Sequence, residues 1–217
     1  MKRYARVDEF LKRVKRLIRI EFNKQLSFDK LNMKQTTKET KALYSRLKAY
    51  NALNYVEIAR AGRQWALDAL PEDKRGVEVD PSKTVLAVLG GYNFVTGYLY
   101  HNEAERKRAR QAEEMMSSQD SKSRFKQAID RCASLWYLQS AQYAVDIEDA
   151  AVVDTWTAAG VTEVMWNAED DSKTCKVCRE RDGMIYKIDE IPPKPHYNCR
   201  CTLKLTEKSL KREDREV

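Results

Sequence analysis

Long apolar runs and an export signal are both absent from this 217-residue sequence. No stretch of about 18 apolar residues occurs, which excludes a membrane-spanning helix. The basic N-terminus, MKRYARVDEFLKRVKRLIRI, has neither a continuous apolar core nor a small-residue cleavage site, so it is not a secretory signal. We therefore expect a protein that makes no membrane contact and folds in a reducing cytoplasm, where thiols usually bind metal or take part in catalysis.

Signatures of catalysis are also missing. The sequence has no carboxylate pair at a metal-ligand spacing, no serine or cysteine nucleophile with a nearby base, and no glycine-rich phosphate loop. Histidine occurs only twice. His101 stands at the start of a predicted charged helix, where a surface or capping role is expected, and His196 lies within a cysteine cluster. We expect that the protein is not an enzyme.

Apolar residues recur at helical spacing over much of the first 160 residues. The predicted helices are a first with its stripe from Val7 to Phe22, a second over residues 37–70 with a break near Gly62, and a third over residues 123–159 with a break near Ile147. Cys132 lies on the third stripe and is expected to be a small buried hydrophobe rather than a nucleophile.

The chain between the second and third helices is less regular. Pro71 and Gly76 indicate a connector, and Asp80 before Pro81 is typical of a helix start. An apolar segment follows, which glycines 90, 91 and 97 are expected to interrupt. A charged helix is predicted from Asn102, and then a polar loop over residues 117–123.

The fold class predicted from these patterns is mainly α, with a small β component (α+β). Gly160 sits where a helix C-terminal glycine belongs, and the segment VTEVMW at residues 161–166 predicts a strand. We expect long helices over residues 1–160 that form an extended bundle or arm. A small, β-containing, Cys/His-rich module of zinc-binding type would follow at residues 161–205, and a charged tail at residues 206–217.

Basic residues are concentrated in the first helix. The formal net charge is +7, which permits binding to nucleic acid or another polyanion without requiring it. Two interpretations of the basic helix stay open: contact with DNA phosphates or an acidic protein surface, and an ordinary solvated helix face. The candidate contact residues are Arg3, Arg6, Lys12, Arg13, Lys15, Arg16 and Arg19.

Four of the five cysteines and one histidine lie within the segment TCKVCRERDGMIYKIDEIPPKPHYNCRC. Cys175 and Cys178 form a C-x-x-C pair, which can present two thiolates to one ion at about 2.3 Å. If CRC is extended, Cys199 and Cys201 point to the same side of the chain. Five candidate ligands are present where a structural zinc site needs four: Cys175, Cys178, His196, Cys199 and Cys201.

The spacing leaves alternatives for these five side chains. Cys175, Cys178 and His196 with one of the last two cysteines is the set that fits best, and an all-cysteine set is the next. Structural zinc would explain how a segment with few large apolar residues folds, because metal binding free energy becomes folding free energy. The other interpretations are a pair of disulfides, a redox C-x-x-C site, and a metal-dependent nuclease centre.

Together these residues resemble the signature of the phage Mu F-like minor head protein family. The signature is a tryptophan after a strand, an acidic loop, T-C-x-x-C, a glycine, Pro-Pro and H-x-N-C-R-C. It comprises Trp166, Asp170, Thr174, Cys175, Cys178, Gly183, Pro192, Pro193, His196, Asn198, Cys199, Arg200 and Cys201. The segment FVTGYLYHNEAERKRAR at residues 94–110 is also similar to the family. The resemblance covers most of the chain and is weaker before Lys41.

The resemblance implies a minor component of the virion, placed inside the capsid near the portal vertex after assembly in the host cytoplasm. It implies association with the portal protein and roles in head morphogenesis, DNA packaging and genome delivery (ejection). Major capsid or scaffold protein and genomic double-stranded DNA are further expected partners. Zinc binding in the family is inferred from the same Cys/His pattern. The alternative function is a nucleic-acid-processing enzyme, such as a zinc-dependent nuclease, packaged in the head.

Overall fold

The computed structural model describes residues 3–26, 33–95, 121–169, 171–172, 174–196 and 199–210. Within these ranges, four long helices come first: α1 (Ala5–Leu26), α2 (Met33–Ala69), α3 (Pro81–Val95) and α4 (Ser121–Ala158). A small sheet with two short helices follows: β1 (Glu163–Asn167), α5 (Lys176–Arg181), β2 (Ile185–Lys187), β3 (Thr202–Leu205) and α6 (Glu207–Leu210). The predicted class, mainly helical with a small β-containing C-terminal part, is confirmed. That the bundle is extended stays a prediction.

Helix α1 packs one apolar face against α4 and α2. The fully or nearly fully buried side chains of this face are Val7, Phe10, Leu11, Val14 and Ile18, as the spacing predicted. Leu17, which the stripe also included, is 37% exposed, and the side chain of Phe22 lies outside the described residues. Phe10 stacks on Tyr50 of α2 with ring centroids 6.1 Å apart. Since the polar residues of α1 fall between these positions, they face outward and include most of its basic side chains.

Helices α2 and α4 form the most extensive contact of the bundle, and both are continuous. The breaks predicted near Gly62 and Ile147 were therefore wrong. Gly62 lies in the interior of α2, where an added Cβ would come within 2.6 Å of the Glu148 carbonyl oxygen of α4. Gly62 allows α2 and α4 to pack closely and does not kink α2. Ile147 is fully buried in the same core.

Helix α3 begins where the sequence predicted. The carboxylate of Asp80 accepts a hydrogen bond from the Ser82 backbone N–H at 2.9 Å and caps the helix. Gly90 and Gly91 do not interrupt α3, which continues to Val95, so that prediction was wrong. The predictions for Gly97, His101 and the charged helix from Asn102 lie outside the described residues, as does the side chain of Cys132. The polar loop predicted over residues 117–123 is described only at residues 121–123, which belong to α4, so this part of the prediction was wrong.

The sheet is antiparallel, in the order β2-β1-β3. The predicted glycine at the end of α4 is confirmed, since Gly160 has φ +76° and the Val161 N–H returns to the Trp156 carbonyl at 2.9 Å. Trp156 is fully buried, and its indole N–H donates to the Ala66 carbonyl of α2 at 3.1 Å. Val164 of β1 belongs to the same core cluster. The sheet is thus seated on the ends of α2 and α4.

The first residues of the predicted charged tail are structured. Ser209 is buried in α6, and its hydroxyl donates to the Glu163 carbonyl of β1 at 2.8 Å. Thr206 caps α6, because its hydroxyl accepts the Ser209 N–H at 3.2 Å. Residues 206–210 therefore continue the module, and the division at 160 stays a prediction. Within the described ranges, no helix combines the length and apolarity that crossing a membrane would need.

Candidate metal centre

The C-x-x-C pair lies at the start of a short helix. Cys175 caps α5, and its sulfur accepts a hydrogen bond from the Cys178 backbone N–H at 3.4 Å. The guanidinium of Arg179 donates to the Thr174 carbonyl at 2.7 and 2.9 Å, which fixes the approach to the helix. Gly183 turns the chain with φ +75° toward β2. The two thiols are thus held on one local frame.

All five predicted ligands come together around Cys178. The donor atoms of Cys175, Cys178 and His196 lie within 4.8 Å of one another, and so do those of Cys178, Cys199 and Cys201. The sulfur of Cys178 is 3.5 Å from that of Cys199 and 3.9 Å from Nε2 of His196. Cys178 belongs to both groups, each of which has three donors, so either predicted set of four ligands draws on both groups.

The separation of two of the sulfurs is close to that of two thiolates bound to one metal ion. Two sulfurs bound to one zinc at about 2.3 Å lie about 3.8 Å apart, whereas a disulfide bond is about 2.05 Å long. The 3.5 Å separation of the Cys178 and Cys199 sulfurs is close to the first value, and all four cysteines are free thiols. The donor set is that of a structural site for a thiol-binding metal ion, and the cluster could hold one.

Burial shapes the electrostatics of the thiols. Cys178, Cys199 and Cys201 are buried, Cys175 is half-buried, and His196 is exposed. Burial, followed by contacts with the neighbouring thiols, raises the pKa of Cys178 far above its ordinary value. Burial also raises the pKa of Cys199. The hydrogen bond from the Cys178 N–H lowers the pKa of Cys175. Binding a cation would therefore displace protons from the buried thiols.

Aromatic and proline residues of the signature back the thiols. Trp166 is 2% exposed and packs in one cluster with Cys178, Cys199 and Cys201. Tyr186 meets the Trp166 ring edge-on at 6.5 Å. Arg181 lies over the Trp166 ring at 5.2 Å and donates to the Pro193 carbonyl at 2.9 Å. The signature residues thus form the wall of the candidate site. Asp170 and Asn198 lie outside the described residues.

The predicted contact residues of the N-terminus do not form one group. The contact of Arg3 with DNA or a partner stays a prediction. Its side chain is 11% exposed and pairs with Glu148 at 3.0 Å and Asp149 at 2.7 Å. Arg6 and Arg13 both pair with Glu9. The remaining candidates, all exposed on the outer face of α1, are Lys12, Lys15, Arg16 and Arg19.

Several residues beside the cluster had no signal in the sequence. Lys194 donates to the Cys199 carbonyl at 3.1 Å, and Tyr4 donates to the Cys201 carbonyl at 3.1 Å. Both also bind Asp149 of α4. Tyr4 and Cys201 are 197 residues apart, so local spacing could not have revealed their contact.

Fold and site together define a class: a mainly helical protein whose C-terminal sheet carries a Cys/His cluster that could hold a metal ion. The family model described as Phage Mu protein F like protein matches residues 102–204, which include all of α4, the sheet except for Leu205, and all five candidate ligands. This segment of the chain is similar to that family, as the signature residues indicated. The match does not extend over residues 1–101, where the resemblance had been expected to continue.

The match to this family indicates a phage head morphogenesis protein and hence a component of the virion. No curated protein and no solved structure is significantly similar to the chain.

Proposed function

We propose that this protein is a non-enzymatic minor component of the phage head that assembles with the portal protein inside the capsid. The observation that carries the proposal is the Cys/His cluster within the matched segment at residues 102–204. Three of its four thiols are buried and face one another, as in sites that hold a fold together. Head assembly, DNA packaging and genome delivery are the processes that such a part would serve.

The metal we propose is zinc. Cys175, Cys178, Cys199, Cys201 and His196 are the residues that would hold it, with four of them as ligands. When bound, zinc would act as a structural cross-link between α5 and the segment before β3. The chain itself supplies the burial, the aromatic wall around Trp166 and the hydrogen bonds to the ligand backbones. A catalytic site would need an open coordination position and a general base beside it, which the buried thiols do not favour.

Two surfaces are proposed for partners. The outer face of α1 carries Lys12, Lys15, Arg16 and Arg19, which suit an acidic portal surface or the phosphates of genomic double-stranded DNA. Exposed apolar side chains on the same helix, Leu17 and Ile20, favour a protein contact there as well. Major capsid or scaffold protein is the further partner class during assembly.

A particle reconstruction with the portal vertex resolved tests the proposal. Particles that contain the protein should show density inside the shell against the portal, and particles assembled without it should lack that density. Density confined to the outer shell, far from the portal, would overturn the portal assignment. A comparison of DNA content and infectivity between the two particle types then separates a packaging role from a delivery role.

A further inference from the structure

The N-terminal turn, residues 3–8, lies directly against the backbone of the candidate metal ligands. Tyr4 is 4% exposed, and its hydroxyl lies 2.7 Å from Oδ1 of Asp149 and 3.1 Å from the carbonyl oxygen of Cys201. A phenol has one proton to donate, so these two acceptors share it. The start of the chain thus touches the backbone of a ligand near its other end.

Lys194 joins the same three elements. Its ammonium has three protons and three acceptors: the Tyr4 hydroxyl at 2.5 Å, Oδ2 of Asp149 at 2.6 Å and the Cys199 carbonyl at 3.1 Å. The side chain is only 14% exposed, so this complete set of acceptors compensates its burial. A displacement of Cys199 would therefore disturb Tyr4 and Asp149 as well.

Arg200, between the last two cysteines, adds a third connection. Its guanidinium lies over the Tyr4 ring at 5.1 Å and pairs with Asp8 of α1 at 2.9 Å. Lys194 and Arg3 also lie over this ring, at 4.8 and 4.7 Å. The cation–π interactions of these three side chains stabilise the structure only while the Tyr4 ring stays in place.

The backbone of Tyr4 is strained. Its φ is +60°, which a residue with a side chain rarely adopts and which persists where surrounding contacts hold it. The Tyr4 N–H donates to Oε1 of Glu148 at 3.0 Å, which is one such contact. The contacts with Lys194, Arg200 and the Cys201 carbonyl are the others. If the contacts with Lys194, Arg200 and the Cys201 carbonyl were lost, the strained turn would tend to relax.

We propose that the N-terminal turn is a latch whose closure is coupled to metal binding at the Cys/His cluster. A bound ion would fix the backbone from Cys199 to Cys201 and thereby the groups that Tyr4 contacts. Tyr4, acting as a positioning residue, would in turn strengthen metal binding. The inference rests on the proposed metal site. Metal binding must favour closure of the latch as much as closure favours metal binding, because both effects express the same coupling free energy.

Through the latch, a metal bound beside the sheet would also affect helix α1. Helix α1 begins at Ala5, immediately after Tyr4, and carries the outward basic face. Metal loading would hold this face in one orientation on the bundle, and metal loss would release the start of the helix first.

Metal titration of matched tyrosine variants tests the coupling. Zinc affinity of the full-length protein is measured by competition with a chelator for wild type, Tyr4→Phe and Tyr137→Phe. Tyr4→Phe removes the hydroxyl beside the Cys201 carbonyl, and we expect about tenfold weaker binding, as for other outer-shell partners. Tyr137, a half-buried tyrosine on α4, is the control and should leave the affinity unchanged.

Hydrogen exchange provides the reciprocal readout. In wild type, chelation should accelerate exchange of the amides of residues 8–11, whose helix begins with the Asp8 N–H bound to the Tyr4 carbonyl. Amides of residues 55–59, in the core of α2, should not change. If Tyr4→Phe does not fold, Asp8→Asn removes the exposed pair with Arg200, and a loss of up to about fivefold in zinc affinity is expected.

The outcomes separate the latch from the metal site. Absence of zinc binding in wild type would overturn the proposed site and the latch together. Zinc binding with equal affinities in wild type, Tyr4→Phe and Asp8→Asn, and with no change in exchange at residues 8–11, would overturn the latch alone.

Discussion

Cys178 is the residue on which the candidate site depends most. It belongs to both groups of possible ligands, is 1% exposed, and contacts both Cys199 and His196. Its raised pKa means that a proton must leave before it can bind a cation. Metal affinity should therefore weaken as the pH falls.

Single substitutions of the candidate ligands should identify the four that bind the metal. Cys178→Ser is expected to reduce zinc affinity more than the roughly 10- to 100-fold loss that follows removal of an outer-shell partner, since it removes the ligand common to both groups. His196→Ala and Cys201→Ser distinguish the mixed set from the all-cysteine set, and competition titration measures each. Binding in Cys178→Ser equal to that of wild type would contradict a site centred on this thiol.

Gly62 sets the distance between α2 and α4. We expect Gly62→Ala to lower the free energy of unfolding by about 1–3 kcal/mol, because the new Cβ would meet the Glu148 carbonyl and the backbones would have to separate. Chemical denaturation measures the effect. Gly90→Ala is the matched control: it is also helical, nothing lies within 4 Å of its added Cβ, and it should gain about 0.5–1 kcal/mol. Equal effects of the two substitutions would contradict the packing role.

Glu148 should make stability depend on pH. Burial raises its pKa in the folded protein, against the opposing effect of Arg3. Its favourable contribution is then fully present below the unfolded-state pKa of about 4.3 and is lost as the pH rises through the higher folded pKa. Glu148→Gln lacks this dependence, so its stability relative to wild type should rise from about pH 4 to about pH 7. Denaturant titrations at both pH values measure this, with Glu57→Gln as control; parallel profiles for wild type and Glu148→Gln would contradict it.

At the scale of elements, α1 has two faces with different tasks. Its apolar face completes the bundle core, while Lys12, Lys15, Arg16 and Arg19 remain exposed on the other side. Arg6 and Arg13 share Glu9, which lowers the charge they offer to a partner. The outer face therefore offers fewer unpaired basic side chains to a partner than the sequence predicted.

Replacing Lys12, Lys15, Arg16 and Arg19 by glutamine should weaken binding to double-stranded DNA at about 50 mM salt and reduce the salt dependence by about one unit of slope per lost phosphate contact. Gel-shift titration over a range of salt measures both. The control removes the same charge from exposed lysines elsewhere: Lys48, Lys83, Lys176 and Lys204. An equal loss in the control, or no salt-sensitive shift in wild type, would argue against DNA contact through α1.

The sequence predicted the elements better than their contacts. Helical spacing located α1, α2 and α4, and cysteine spacing located the cluster, because both patterns are local. The role of Gly62 depends on a neighbour in α4, so the glycine alone suggested a break. Arg3 was read as a surface cation because its partner Asp149 is 146 residues away in sequence. Long-range pairing of this kind leaves no periodic signal.

In the part of the molecule that the structure describes, a helical bundle and a small sheet are joined by shared side chains. Trp156 and Leu70 bury the sheet against the bundle, and the N-terminal turn fastens the ligand segment from the other side. The apolar part of this joint does not need the metal, whereas the cluster around Cys178 has few large apolar side chains of its own. We therefore expect that metal removal would loosen the module and leave the helices folded.

Native mass spectrometry of the full-length protein, purified under reducing conditions, tests the proposed metal centre most directly. One zinc ion per chain is the predicted result. A chelator should remove it, and hydrogen exchange should then rise in residues 174–205 while the interiors of α2 and α4 stay protected. A folded protein that carries no metal, binds none when zinc is added, and protects residues 174–205 equally with and without chelator would contradict the metal centre.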